Sequence, residues 1–205
     1  MNIVLNIRGT NGSGKSTLVR SLMEHLESNK FVRRPLAIDY KEAGYRFDKQ
    51  GTKLYVLGKY TTACGGLDSS FSYKGAADDV IFFLDELAQK GNVVCEGVVA
   101  MSSYGFGRLS KFAIDQKEKG QQVVFGLMDT PLEVCIQRCE ERRAAKAAAK
   151  GSVAKPLNPQ NLVDKWNGTH KDQQKLKDAG FDCRLIPYQD SLSTVLSWLN
   201  IADLS

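Results

Sequence analysis

The chain has 205 residues, a formal net charge of +5, 42% hydrophobic and 25% charged residues. That is the size and make-up of one folded domain with a full core, spanning residues 1–205. It excludes a disordered chain, a histone-like density of charge and, with no long apolar run, a bilayer-spanning helix. The mild basicity permits a polyanionic partner without requiring one.

Asn2 to Arg8 reads as a buried strand, and it begins too early to leave room for a signal peptide. Gly9-Thr10-Asn11-Gly12-Ser13-Gly14-Lys15-Ser16, followed by Thr17, fits G-x-x-x-x-G-K-[ST], the phosphate-binding P-loop. Ser16 to Ser28 then reads as a helix with Leu18, Val19, Leu22 and Leu26 on one face. Strand, glycine loop and helix together let backbone N–H groups and a helix N-terminus hold phosphates. In that arrangement Lys15 reaches the β/γ-phosphates, and the Ser16 hydroxyl binds Mg²⁺.

Pro35 to Tyr40 reads as a second strand ending in Asp39. An acid at a strand's carboxyl end beside a P-loop faces the ligand crevice, so Asp39 is a candidate general base or Mg²⁺ support; otherwise it is a turn aspartate before Lys41–Gly44. Tyr45–Phe47 and Lys53–Leu57 flank Asp48–Gly51 as a β-hairpin, an insertion of about residues 44–75 on the basic α/β pattern. The aperiodic Lys59–Ser70 run is loop-like and suits binding residues. Most tyrosines of this region are packing residues, and Tyr60 is the candidate for stacking on a base.

Val80–Glu86 imitates the strand and acidic pair of an ABC-type ATPase. Asn92–Val99 is the better strand and follows too closely for both to be parallel neighbours, so Ala76–Lys90 is read as a helix ended by Gly91. Glu96 then ends the strand beside the P-loop strand, placed to orient Mg²⁺ or its waters, or simply to cap the next loop. Arg108, after the Ser102–Gly107 loop, is either a substrate-phosphate ligand or a surface charge at the start of a helix over 109–119.

Gln121–Met128 is a further strand, with Asp129 or Thr130 capping a helix from Leu132 to about Ala149. Arg138, Arg142 and Arg143 on that helix suit a lid of about residues 132–157 closing over ATP, against the alternative of a solvated face paired with Glu140 and Glu141. Ala144–Lys155 is basic and of low complexity, either a nucleic-acid contact or an exposed tail of the lid. Gln160–Asp178, Cys183–Pro187 and a helix capped by Ser191 complete the chain, and His170 receives no role. Five cysteines (Cys64, Cys95, Cys135, Cys139, Cys183) without a C-x-x-C argue against zinc and for reduced thiols in a cytosolic compartment.

The alternation of strands and helices implies a parallel three-layer α/β/α fold. The P-loop, Glu96 and the Arg138/Arg142/Arg143 helix together resemble P-loop kinases of the nucleoside and nucleotide kinase group. Deoxynucleoside kinases carry Glu-Arg-Ser where this chain has Glu96-Gly97-Val98, which argues against ordinary nucleoside specificity. The run Gly58 to Asp68, with the overall length, is similar to that of the phage-encoded kinases that phosphorylate 5-hydroxymethyluracil within DNA.

The resemblance implies phosphoryl transfer from ATP·Mg²⁺ in the host cytoplasm, with Asp39 or Asp68 as base and Lys15, Arg138 and Arg142 neutralising charge. Arg143 would join the residues that hold ATP. Tyr60 and the Thr61–Asp68 loop would receive a flipped base, with Arg108 on the acceptor side. The competing readings are a small-molecule nucleoside or nucleotide kinase and a non-kinase P-loop ATPase module.

Overall fold

Alternation along Ile3–Arg8 (β1) sends its side chains to both faces of a sheet, and all six are buried. A computed structural model describes residues 1–38, 41–61, 66, 76–97 and 106–201. The other strands are β2 (Val32–Ile38), β3 (Lys41–Lys49), β4 (Thr52–Leu57), β5 (Asn92–Glu96), β6 (Gln122–Asp129) and β7 (Asp182–Pro187). The helices are α1 (Lys15–Ser28), α2 (Ala76–Ala88), α3 (Phe106–Glu118), α4 (Leu132–Ala148), α5 (Pro159–Asp178) and α6 (Ser191–Trp198).

The seven strands lie in the order β2-β3-β4-β5-β1-β6-β7. β4, β5, β1, β6 and β7 run parallel, so their carboxyl ends share one edge. Ile3, Leu5 and Ile7 pack with Leu18, Leu22 and Leu26 of α1 and Val195 and Leu196 of α6. Val4 packs on the opposite face with Val80 and Leu84 of α2, Phe112 of α3 and Leu176 of α5. Helices therefore cover both faces, as the expected three-layer arrangement requires. Each fully buried leucine of α1 contributes roughly 1.5–3 kcal/mol.

The sheet is mixed rather than parallel. β3 pairs antiparallel with both β2 and β4. β3 and β4 are joined by the two-residue turn Gln50-Gly51, where φ is +48° and +86°, the double left-handed geometry of a tight hairpin. The hairpin is not an appendage: β4 joins the main sheet beside β5, with Leu57 opposite Cys95. Lys41–Gly44, expected as a turn, belongs to β3.

The edge place of β2 corrects a second expectation. Its strand is not beside the glycine loop: β3, β4 and β5 lie between it and β1. Four inter-strand spacings come to roughly 19 Å. Asp39 itself lies outside the described residues.

The ABC-like Val80–Glu86 segment is helical, within α2. Its Asp85 accepts hydrogen bonds from Gln116 Nε2 and Lys119 Nζ of α3, each at 2.5 Å. Burial pushes the Asp85 carboxyl up, but the hydrogen bonds from Lys119 and Gln116 outweigh it and hold it below its ordinary value. A carboxyl depressed in the folded state adds stability above its unfolded pKa and loses it as pH falls through the folded one. Asp85→Ala strands the wholly buried Gln116, so urea unfolding at neutral pH should show a loss of about 1–3 kcal/mol. The gap between variant and parent should narrow as pH falls below about 4, where the charge-dependent part is lost.

Candidate active site

β1 ends at Arg8 and the chain turns at once into the glycine loop, which α1 continues from Lys15. Gly14 precedes the helix with φ +93°, supplies no side-chain cap, and the first turn holds no acid. The first N–H groups of α1 therefore face the loop as an anion-attracting end. Gly12 is required for a different reason: a Cβ there would collide with the Cys135 carbonyl of α4.

The loop is gripped from both sides. On the β5 side, the Ser16 hydroxyl donates to Glu96 Oε1 at 2.6 Å. Glu96 is only 3% exposed. It reaches Ser16 because β5 pairs with β1 in the register Ile7 to Glu96. On the β6 side, the buried Thr130 hydroxyl donates to the Ser13 carbonyl at 2.8 Å. Thr130 thus fastens the β6–α4 turn to the glycine loop and does not cap α4, whose start at Pro131 has no side-chain cap. Lys15 Nζ donates to the carbonyls of Gly9 (2.8 Å) and Thr10 (2.9 Å).

Above the loop opens a crevice of about 1140 Å³. Its floor is Asn11 to Thr17, with Glu96 and Gly97 at one side. Arg138, Glu141, Arg142 and Ala145 form an α4 wall. Arg138 Nη1 donates to the Gly12 carbonyl at 3.3 Å, and its guanidinium lies 5.6 Å from the Tyr188 ring. Arg142 lies one turn further along and contacts Cys139 Sγ at 3.7 Å. A crevice with a lysine, three arginines and a helix N-terminus, beside one hydroxyl–carboxylate pair, has the chemistry to take a polyphosphate with a hard cation.

Arg143 departs from the expected set. It is not in the crevice wall; its Nη1 donates to the carbonyls of Lys155 (3.3 Å) and Pro156 (2.7 Å), tying α4 to the turn before α5. Tyr60 departs too. Its ring is 7% exposed and sits in the core between α1 and the sheet, so it offers no open face to a base. Its hydroxyl donates to the Leu57 carbonyl at 3.2 Å. Burial, and after it the Glu96 charge, holds that phenol well above its ordinary pKa.

Thr61 is exposed and outside the crevice lining. Asp68 and the Arg108 side chain lie outside the described residues. Gly66, two residues before Asp68 in sequence, rests on Glu96: a Cβ at 66 would stand 2.6 Å from Glu96 Cγ.

Arg20 and the residues that follow β7 are among the crevice residues that escaped the sequence reading. Arg20 follows Ser16 by four residues on α1, hence shares its face, and its Nε donates to the Tyr60 carbonyl at 3.4 Å. Tyr188 and Gln189 follow β7, and Ser191 and Leu192 open α6. The available signal was their place after a parallel strand, where ligand crevices form. Gly66 lies within the Thr61–Asp68 run that the sequence offered as a binding loop.

Among the described residues no helix is long and apolar enough to cross a membrane. No family model matches the chain. The crystal structure of APE1195 aligns with 100% of this chain and 97% of its own at a TM-score of 0.53 and 16% identity, a likeness of fold alone. A protein of Pseudomonas phage M6 named 5-hmdU DNA kinase is 29% identical over 195 residues, 93% of this chain and 94% of that protein. The 5-hmdU DNA kinase of Pseudomonas phage PaMx11 is 35% identical over 181 residues, 86% of each chain. With that identity over that span, the chain belongs to the family of phage 5-hmdU DNA kinases.

Proposed function

We propose that the chain phosphorylates the hydroxymethyl group of 5-hydroxymethyluracil in DNA, with ATP as donor and the Gly9–Ser16 loop as its phosphate cradle. The names of the relatives support the acceptor. The observation that carries the phosphoryl-transfer chemistry is the 2.6 Å contact of Ser16 with Glu96 at the floor of the arginine-walled crevice.

A hydroxyl beside one buried carboxylate fits Mg²⁺, which prefers oxygen ligands and one or two carboxylates together with substrate phosphates. Ser16 and Glu96 would hold that ion, which would supply charge neutralisation to the bound phosphates. Backbone N–H groups of Gly12 to Ser16 orient the phosphates, and α1 adds the field of its N-terminus. Lys15, with a flexible stem and an ammonium at the loop's mouth, follows the γ-phosphoryl as charge develops on it. Arg138 and Arg142 close that charge from α4, the first arm of the 132–157 lid. Tyr188, Gln189 and Leu192 line the far end of the same crevice, where the donor's base has room.

The acceptor enters on the Glu96 side. The loop containing Gly66 lies against that carboxylate, whereas β2, which leads to Asp39, is the outer edge of the sheet. This favours Asp68 over Asp39 as the base that takes the proton of the acceptor hydroxyl. Tyr60 serves the same loop from below, its carbonyl held by Arg20 and its ring by the core.

The deciding experiment incubates the protein with labelled ATP and a mixed pool of 5-hydroxymethyluracil DNA, free nucleosides and nucleotides, followed by mass analysis. Label on the DNA is the expected result; label confined to free nucleotides, or ATP hydrolysis without any acceptor, overturns the reading. Lys15→Ala should cut kcat by roughly 100- to 1000-fold, the usual effect of deleting one transition-state charge donor. Glu96→Gln should raise the Mg²⁺ concentration for half-maximal rate, measured by metal titration at saturating ATP. Asp68→Asn should cost roughly 100-fold or more and Asp39→Asn little, since a positioned base contributes about that factor; the reverse ranking returns the role to Asp39.

A further inference from the structure

α4 and α5 form an antiparallel hairpin whose contacts climb in order. Trp166 Nε1 donates to the Thr130 carbonyl at its base. Leu162 packs with Cys135 and Cys139 above that. Arg143 reaches the Lys155 and Pro156 carbonyls higher still. Beyond lies the tip, and it has an unusual make-up. Its last helical stretch carries five alanines between 144 and 149, exposed apart from the half-buried Ala147. From Arg142 to Lys155 there are five cations and no acid.

The tip is nevertheless closed by hydrogen bonds. Gly151 (φ +61°) closes α4: its N–H donates to the Ala148 carbonyl and that of Ser152 to Ala147, each at 3.0 Å. This is the paired C-terminal closure in which an apolar side chain commonly folds back on the last turn. Here Ser152 takes that place, its hydroxyl on the Ala147 carbonyl at 3.3 Å. Val153, next in line, is left 94% exposed. Single exposed apolar residues are ordinary. Val153 differs because capping bonds on one side and the Arg143 tether on the other hold it out, amid lysines that form no ion pair among the described residues.

We propose that this tip enters duplex DNA beside the acceptor base, with Val153 as the wedge that fills the gap left when the base turns out, and Lys146, Lys150 and Lys155 on the flanking phosphates. The inference rests on the DNA acceptor proposed above. Turning a base out of the stack costs a few kcal/mol, and proteins that open base steps commonly insert an apolar side chain there. An alanine helix is slender enough for a groove that admits one helix. The α4 wall that carries Arg138 and Arg142 over the crevice runs on to the turn that precedes Val153, so the wedge follows the same helix as the crevice arginines.

The test compares duplex and single-stranded 5-hydroxymethyluracil oligonucleotides as acceptors of labelled phosphate from ATP. Val153→Ala should lower kcat/KM on the duplex about tenfold or more, leave the single strand within about twofold, and weaken the 2-aminopurine signal of base opening. Equal loss on both substrates, or none on the duplex, overturns the wedge. The variant Lys146→Ala/Lys150→Ala/Lys155→Ala should flatten the slope of log affinity against log salt by roughly 2–3, at about 0.9 per lost phosphate contact; an unchanged slope removes the lysines from the interface. A wild-type protein that labels neither oligonucleotide fails the DNA acceptor and takes this proposal with it. One that labels both, with Val153→Ala indistinguishable, fails the wedge alone.

Discussion

The parallel pairing of β1 with β5 is the constraint on which the site depends. Its register sets Ile7 opposite Glu96, so one strand ends in a carboxylate as its neighbour runs out into the glycine loop. Every further grip on that loop follows. Ser16 meets Glu96 because the loop returns to the sheet edge to start α1. Thr130 meets Ser13 because β6 pairs with the other side of β1. Cys135 and Arg138 then approach Gly12 because the next helix starts from that same turn. A one-residue slip of β5 would turn Glu96 to the other face and leave a carboxylate buried without Ser16.

The same topology brings Gly66 to the carboxylate. The hairpin adds β4 beside β5, then two more strands, on the side away from β6. The loop leaving β4 is thereby delivered next to Glu96, where Gly66 covers the carboxylate. Tyr60 is the fastening of that loop. Its ring is spent in the core and its backbone is held by α1, so it acts on the site through the loop that follows it.

What could be read from the sequence was whatever has a local period or a local clash. The glycine loop, the helical nature of Ala76–Ala88 and the β5 strand all follow from spacing within a few residues. The hairpin turn was likewise visible in Asp48–Gly51. What could not be read was set by partners far along the chain. The edge place of β2 depends on which side of β4 the sheet grows. Arg143 shares a helix with Arg138, but a long guanidinium reaches either neighbour, and only the turn at Lys155 and Pro156 determines which. Thr130 had the chemistry of a helix cap, but its hydroxyl donates instead to the carbonyl of Ser13, a residue 117 positions away.

Charge at the site also has a source that exposure hides. Arg8, the residue before Gly9, is wholly buried. Burial pushes its guanidinium pKa down, and Asp172 of α5, 3.9 Å away, opposes that shift. A cation in a low-dielectric interior acts over a longer range than one in water, so Arg8 adds positive potential beneath a loop that collects phosphate. Its counter-charge belongs to the return arm of the α4–α5 hairpin. The strand that launches the glycine loop is therefore tied to the hairpin twice, by this buried ion pair below and by Arg138 on the Gly12 carbonyl above. The base of the hairpin is thus fastened to the phosphate cradle from two levels.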